Sequence, residues 1–462
     1  MNLTKSILIY GISSSLSKFI GVFLVPIYSI YFSQEEYGAL DLVQTVILFA
    51  SIFGMMQLES AISRYYYEVT GEDRVTYIST AFNVVIIFSV FFSVLVFFSS
   101  NYLSNFFFDS DDLSYVFQFS AINILLFNIF GFLSVLIRFL NRPLLYSIIV
   151  FIQFTLTGLI SIVLLIYFEQ GILSFFIGQS FGLFTGSVIL YVKLKKDLTF
   201  RIDKLALISM FKYSLPQVPS TAGNWLNTYS NRFIMLSYLS VAEIGIYTVA
   251  LQISSAFKIL DSAFRMAWLP YIFEKVKKGI HKILLKKLLI SLSLTVFFLC
   301  ILFSLFAEEI QSILSTNEYI ETIDLIKILV FSFSFSIINQ VVGIGINIEK
   351  KTGYLTIAFF VGLIINIGFM FFLVPIYKLF GVAASLLISN ISIFIILWFF
   401  AEKEHYIGYS KLKMICIFLI TSIIMLTLIN FNFNFKDKII ASVFILINLL
   451  LFQKRIAKIF RL

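Results

Sequence analysis

The sequence predicts an all-α integral membrane protein of about fourteen transmembrane helices: two parallel six-helix lobes around a central cavity, plus a C-terminal hairpin. Three observations carry that prediction. Of 462 residues, 60% are hydrophobic and only 13% are charged, against roughly 25% charged in soluble domains. Apolar runs on the scale of the hydrocarbon core, about 20 residues each, recur from one end of the chain to the other. The basic residues then fall almost wholly on one side of the spans that those runs define. A water-soluble fold of this size could not hide so much apolar surface.

The first six spans are expected near 6–32, 41–62, 77–100, 114–137, 144–168 and 173–192. The next six lie near 213–238, 244–264, 288–307, 322–347, 354–374 and 381–401, and a last pair near 414–430 and 439–453. The first run is too long for a signal-peptide core and no small-residue cleavage site follows it. With the N-terminus inside, 27 of the 34 Lys and Arg residues fall in cytoplasmic segments. Only Lys378, Lys436 and Lys438 fall outside, and four lie within spans. A wrong helix count would scramble that bias. Glu35, Glu36, Asp109, Asp111, Asp112, Glu308, Glu309 and Glu318 all sit in outer loops. Both termini are therefore expected in the cytoplasm, with the chain multi-pass in the cytoplasmic (inner) membrane. The net charge of +9 reads as topology and contact with anionic membrane lipids, not as nucleic-acid binding. Cys300 and Cys416 fall inside apolar runs, and His281 and His405 have no ligand-spaced neighbour, so no metal site is expected.

Two long basic connections, near 193–212 and 265–287, punctuate the chain, and the first divides it. We read an N-terminal lobe over 1–205, a C-terminal lobe over 206–405, and an additional hairpin with a basic tail over 406–462. Ser33-Gln34-Glu35-Glu36-Tyr37-Gly38 and Ser240-Val241-Ala242-Glu243-Ile244-Gly245 repeat Ser-x-x-Glu-x-Gly at a separation of 207 residues. Each stands between the first and second helix of a six-helix unit. Six is even, so the units share one orientation. Pro26 in the first helix of one half, and Pro216 with Pro219 in the first helix of the other, mark corresponding interrupted spans, a pointer to a transporter's binding site.

Ionisable side chains at mid-bilayer cost roughly 2.5–3.5 kcal/mol on insertion scales, and here they gather on spans one, two, seven and eight. Lys18 lies about 19 Å along its helix from the inner end, and Ser14 shares its face. Span seven carries Gln217, Ser220, Asn224, Asn227 and Asn231 at alternating three and four spacing, with Arg232 beside the outer end. Span eight carries Tyr247, Ser254, Lys258, Asp261 and Arg265 on one face. Span two has Asp41, Gln44 and Thr45 near its outer end, with Glu59 and Arg64 near the inner one. These residues are expected to line a hydrated cavity between the lobes. Lys18, Arg232, Lys258, Arg265 and Arg64 would supply its positive charge, and Ser14, Gln217, Ser220, Asn224, Asn227, Asn231, Asp261 and Glu59 its polar lining. Plainer readings stand beside this one. Lys258, Asp261 and Arg265 could neutralise one another, Glu59 could pair with Arg64, and the amides could be interhelical glue. Asp324 and Lys327 read as a snorkelling pair.

With these residues in view, the chain resembles the polysaccharide transporter (Wzx-type oligosaccharide flippase) family of the multidrug/oligosaccharidyl-lipid/polysaccharide (MOP) exporter superfamily. The resemblance rests on Ser17-Lys18, Pro26-Ile27-Tyr28, Glu36-Tyr37-Gly38 and Arg64-Tyr65-Tyr66-Tyr67-Glu68. In the second half it rests on Pro216 to Pro219, Trp225, Asn231-Arg232-Phe233, Gly245-Ile246-Tyr247 and Trp268-Leu269-Pro270. Twelve of the fourteen expected spans are covered. Asn231 departs from the pattern, since an acidic residue often precedes the arginine in relatives, and this argues against cation coupling at that position. The extra hairpin also resembles the fourteen-helix lipid II flippases. The family implies flipping of an undecaprenyl-pyrophosphate-linked oligosaccharide, an O-antigen or capsule repeat unit, by alternating access. It implies no enzymatic activity and no cofactor. No Gly-x-x-x-x-Gly-Lys-Ser/Thr loop is present to bind a nucleotide, so a proton or sodium gradient is the expected drive. The expected partners are the polyprenyl-pyrophosphate-linked glycan, membrane lipids and the polysaccharide polymerase machinery, with the chain itself a monomer. Alternatives are a lipid II flippase, then a multidrug exporter, which would want carboxylates in its cavity, then a membrane-bound glycan polymerase.

Overall fold

In hydrocarbon a backbone must satisfy its hydrogen bonds within the segment or in a closed barrel, and every regular element among the described residues is helical. The computed structural model describes residues 24–443 except 140, 141, 350, 352 and 432; the side chains of 143, 197, 224, 227, 263, 266, 267, 269 and 270 are also outside the description. The expected spans 6–32 and 439–453 therefore lie largely outside the described residues, as do Ser14 and Lys18. Among the described residues, nine helical segments are long and apolar enough to cross a membrane.

The helical residues 24–31 (α1) lead into α2 (Gln34–Met55), α3 (Leu58–Glu68) and α4 (Gly71–Phe98). There follow α5 (Ser100–Phe108), α6 (Ser114–Ser120), α7 (Ile122–Phe139), α8 (Pro143–Phe168) and α9 (Leu173–Leu194). Next come α10 (Lys204–Ser214), α11 (Val218–Leu236), α12 (Val241–Ser255) and α13 (Lys258–Lys277). The chain continues through α14 (His281–Leu305), α15 (Ala307–Leu314), α16 (Thr322–Val342), α17 (Ile344–Ile348), α18 (Gly353–Glu404) and α19 (Lys411–Asn430) to α20 at 435–443. Helices of 25 and 28 residues such as α14 and α4 span about 37–42 Å at 1.5 Å per residue, enough for the hydrocarbon and part of the interface.

Packing divides the chain into two compact units. One runs to Leu236 and takes in Ser240–Gly245; the other takes Ser237–Leu239 and the chain from Ile246 onward. Thus α11 and the first turn of α12, which follow the 205/206 boundary drawn from the sequence, pack with the first unit.

In the first unit α8 packs closely along α9. A Cβ on Gly178 would stand 2.2 Å from Ser161 Oγ, and one on Gly182 would stand 2.5 Å from the Gln153 carbonyl. Small residues four apart let the two backbones touch where no hydrophobic effect drives helices together. Buried amides add specific links: Asn128 Nδ2 donates to Ser89 Oγ at 2.9 Å and Asn123 Nδ2 to the Phe176 carbonyl at 3.1 Å.

The second unit is built on α16, which is buried along most of its length between α14, α18 and α19. Phe297, Phe331, Phe335, Phe394 and Phe418 form a continuous aromatic cluster with centroid separations of 5.6–6.2 Å. The 52-residue α18 is two helices joined across a kink: Lys378 (φ 48°, ψ −127°) breaks it, and Gly381 lies so close to Leu373 that a Cβ would meet its carbonyl at 2.4 Å. That kink falls between the expected spans 354–374 and 381–401.

Candidate functional site

The Ser-x-x-Glu-x-Gly repeat has a structural meaning. At Ser33 the side chain accepts from the Glu36 N–H at 3.2 Å while the Glu36 carboxylate accepts from the Ser33 N–H at 2.9 Å. Ser240 and Glu243 make the same reciprocal pair at 3.2 and 2.9 Å. Each is a capping box that satisfies orphan donors at a helix N-terminus. The two glycines then meet: a Cβ on Gly38 would stand 2.0 Å from the Val241 carbonyl, and one on Gly245 would stand 1.8 Å from the Gln34 carbonyl. Glycine at both positions is what lets the first turns of α2 and α12 cross backbone to backbone.

One turn further along α2, Asp41 receives Arg232 of α11. Arg232 Nε donates to Asp41 Oδ2 at 2.8 Å and Nη2 to Oδ1 at 3.2 Å, while Nη1 donates to the Thr228 carbonyl at 3.1 Å. Tyr229 stacks against the guanidinium, its centroid 5.2 Å away. The arginine side chain is only 6% exposed and the aspartate 13%. The expected cation at the outer end of span seven is thus present and buried, in a bidentate pair with a carboxylate. Asp41 was not read as its partner; two opposite charges near the outer ends of spans two and seven were the available signal. Asn231 is buried beside Arg232. On the same helix Trp225 packs against Phe49 at 4.5 Å and stacks on Tyr229 at 5.6 Å.

Just before α11 begins, Gln217 accepts from Ser60 Oγ at 2.9 Å and donates to the Tyr213 carbonyl at 2.9 Å. This joins α3 to the helix start at Pro216 and fits the glue reading of that amide. Ser220 is exposed, and the side chains of Asn224 and Asn227 are outside the description. The expected span 41–62 is broken at Met56 and Gln57, both left-handed (φ 48° and 56°). Glu59 therefore falls in the first turn of α3, where a carboxylate meets the positive end of the helix dipole. One of its oxygens is buried with no hydrogen-bond partner among the described residues. Arg64 does not pair with Glu59. It reaches Glu68 one turn on, at 3.1 Å, and lies over the Tyr213 ring at 4.8 Å, with half its side chain exposed. The i,i+4 spacing on α3 favours that partner.

In the second unit the expected span 244–264 is likewise broken, between α12 and α13, so Lys258 and Asp261 open a new helix. Asp261 bridges two groups: it accepts from Gln340 Nε2 at 3.2 Å and from Arg265 Nη2 at 3.1 Å. Lys258 Nζ sits 3.9 Å from the Phe333 ring centroid. Arg265 is 56% exposed. The sequence could not show Gln340 or Phe333, which come from α16 some 80 residues on. Asp324 and Lys327 do pair, at 2.7 Å, yet Lys327 is buried instead of snorkelling, because Nζ also donates to the Leu428 carbonyl of α19 at 2.9 Å. His281 and His405, far apart in sequence, meet with Nε2 to Nε2 at 2.9 Å, and His405 Nδ1 lies 2.7 Å from Glu349. No group of three His, Cys, Asp or Glu suited to a metal occurs among the described residues.

The chain is similar to known proteins along most of its length. Residues 31–322 match the family model described as polysaccharide biosynthesis protein. An Lsg locus protein of Haemophilus influenzae is 24% identical over 289 residues, which cover 60% of this chain and 68% of that one. Among solved structures, the lipid II flippase MurJ in an inward closed conformation superposes with a TM-score of 0.74 at 16% identity, covering 98% of this chain and 99% of that one. An inward-facing multidrug resistance MATE family transporter of the MOP superfamily superposes at 0.61 and 12% identity, with 87% and 94% covered. The two solved structures are of a flippase and a multidrug transporter, and the likeness is one of fold. The match over residues 31–322 makes this chain, whose apolar helices mark it as a multi-pass membrane protein, a member of the polysaccharide biosynthesis protein family, with a fold similar to those of MurJ and the MATE transporter.

Proposed function

We infer that the chain is a flippase that moves an undecaprenyl-pyrophosphate-linked oligosaccharide, an O-antigen or capsule repeat unit, across the cytoplasmic membrane by alternating access. The observation that carries this reading is a buried guanidinium, Arg232 of α11, held against the Asp41 carboxylate of α2 in a chain that is 60% hydrophobic. Such groups are costly in a bilayer and are retained where a polar substrate passes. A guanidinium binds phosphate through the same two-pronged fork that it offers a carboxylate. Asp41 thus occupies on Arg232 the position that a substrate phosphate competes for. Lys18, from its place in the sequence, adds positive charge, and Trp225 and Tyr229 beside Arg232 offer ring faces to sugars. The prenyl tail stays in lipid. Energy comes from a proton or sodium gradient, and the flipped unit passes to the polymerase machinery.

Lys18→Ala, and Arg232→Ala combined with Asp41→Ala so that no buried charge is left uncompensated, each expressed in a strain lacking the native gene, are expected to abolish surface glycan while the protein remains inserted at normal level. Normal surface polysaccharide in both variants would overturn the reading. The similarity to MurJ over 98% of the chain supports one second reading, a peptidoglycan-precursor flippase. Rescue of cells depleted of their lipid II flippase would favour it.

A further inference from the structure

In the second unit α19 packs on α14 and α16, and between α19 and the latter half of α18 lies a cleft of about 700 Å³. Phe297 and Phe335 form its floor, Phe394 and Phe399 one wall, and Ile415 and Phe418 the other. Its volume falls within the range of ligand pockets, about 300–1,000 Å³. Charge gathers at one end only. Lys403 and Lys411 line that end and are exposed. The ammonium of Lys286 lies beside Gly408, 3.1 Å from where a Cβ would stand. Glu402 is also at the mouth, but its carboxylate is taken up by the loop, accepting from the Gly408 N–H at 3.0 and 3.1 Å and from the Tyr409 N–H at 3.4 Å. That cap holds the α18–α19 turn, with the left-handed Gly408 (φ 79°), so that its lysines flank the cleft.

We propose that this cleft is a binding site for one anionic phospholipid of the cytoplasmic leaflet. The phosphate rests between Lys403 and Lys411, and the acyl chains lie along Phe394, Phe399 and Phe418. The side of the membrane follows from the distribution of basic residues, which assigns the 403–413 connection to the cytoplasm. That leaflet carries the anionic lipids that juxtamembrane lysines attract. An apolar slot with a cationic rim matches such a lipid at both ends, whereas a zwitterionic lipid satisfies only the slot. The site gives the terminal hairpin a role, since α19 supplies one wall. This proposal does not rest on the transported substrate.

The test is native mass spectrometry of the full-length protein, delipidated in detergent and titrated with phosphatidylglycerol or phosphatidylcholine. One phosphatidylglycerol per chain should be retained preferentially. K403A/K411A should weaken it about 30-fold, roughly fivefold for each lysine near the surface, and these exposed positions leave the fold intact. I415W should displace it by filling the slot with the charges unchanged. Equal retention of the two lipids would overturn the proposal, as would undiminished binding in both variants. Displacement of phosphatidylglycerol by an equal concentration of polyprenyl phosphate would assign the cleft to a prenyl tail instead, and would also overturn it.

Discussion

Asp41 and Arg232 illustrate what a membrane does to a single ion pair. In water such a pair is worth little, but with both side chains largely buried, removing one partner leaves the other's charge without compensation. Breaking a buried pair typically costs about 3–5 kcal/mol. Asp41→Ala alone should therefore lower the thermal midpoint of the purified protein sharply, whereas Asp41→Ala combined with Arg232→Ala should cost much less than the two single changes summed. Additive losses would mean that the two residues act apart. Arg232 was legible in the sequence because a charge in a long span is conspicuous. Its partner was not, because nothing in one helix states which neighbour it faces. The same gap hid Gln340 behind Asp261 and Glu68 behind Arg64. Side-chain periodicity places a residue on a face; only packing says what stands opposite.

At the scale of the element, glycine marks where helices touch. Gly245 has the Gln34 carbonyl where a Cβ would stand, whereas Gly223 in α11 and Gly368 in α18 have nothing within 4 Å. Gly245→Ala should then destabilise by about 1–3 kcal/mol through overpacking, since the first turns of α2 and α12 must separate. Gly223→Ala and Gly368→Ala should be neutral or should stabilise by about 0.5–1 kcal/mol, the ordinary gain of alanine within a helix. Thermal unfolding in detergent separates the two outcomes, and equal effects at all three positions would contradict the backbone crossing. Most expected spans between 41 and 430 correspond to helices, because long apolar runs are a strong signal. The breaks at Met56–Gln57 and between α12 and α13 were missed, because hydropathy continues across them unchanged. What pointed to them, in retrospect, is the acidic residue that follows each break. Glu59 and Asp261 stand in the first turn of a new helix, where the dipole favours a carboxylate.

For the whole molecule, the charge distribution makes a prediction about sidedness that the helices alone do not. Single cysteines at Lys195 and Lys403 should react with reagent from the cytoplasm, and at Lys378 and Lys436 from the opposite side. A mixed pattern would refute the fourteen-span topology. The hairpin that ends the described chain offers a second check, this time of how it is held. Lys438 in α20 donates to Glu308 at 2.8 Å and to Glu309 at 2.7 Å, both in α15. The hydrogen bond and positive charge of Lys438 hold the Glu308 carboxyl below its usual range. A carboxylate with a lowered pKa in the folded state contributes stability that is complete above the unfolded value, about 4.3, and is lost as pH falls through the lowered one. Hydrogen-exchange protection of residues 435–443 should accordingly stay level from neutral pH down to about 5 and decline only below about 4. Lys438→Ala should lower that protection above about pH 5 and remove its acid dependence, the two proteins converging at low pH where the carboxylates are protonated. Protection that instead falls between pH 7 and 5 would show that α20 is held by some other titrating group, and that the two glutamates are bystanders.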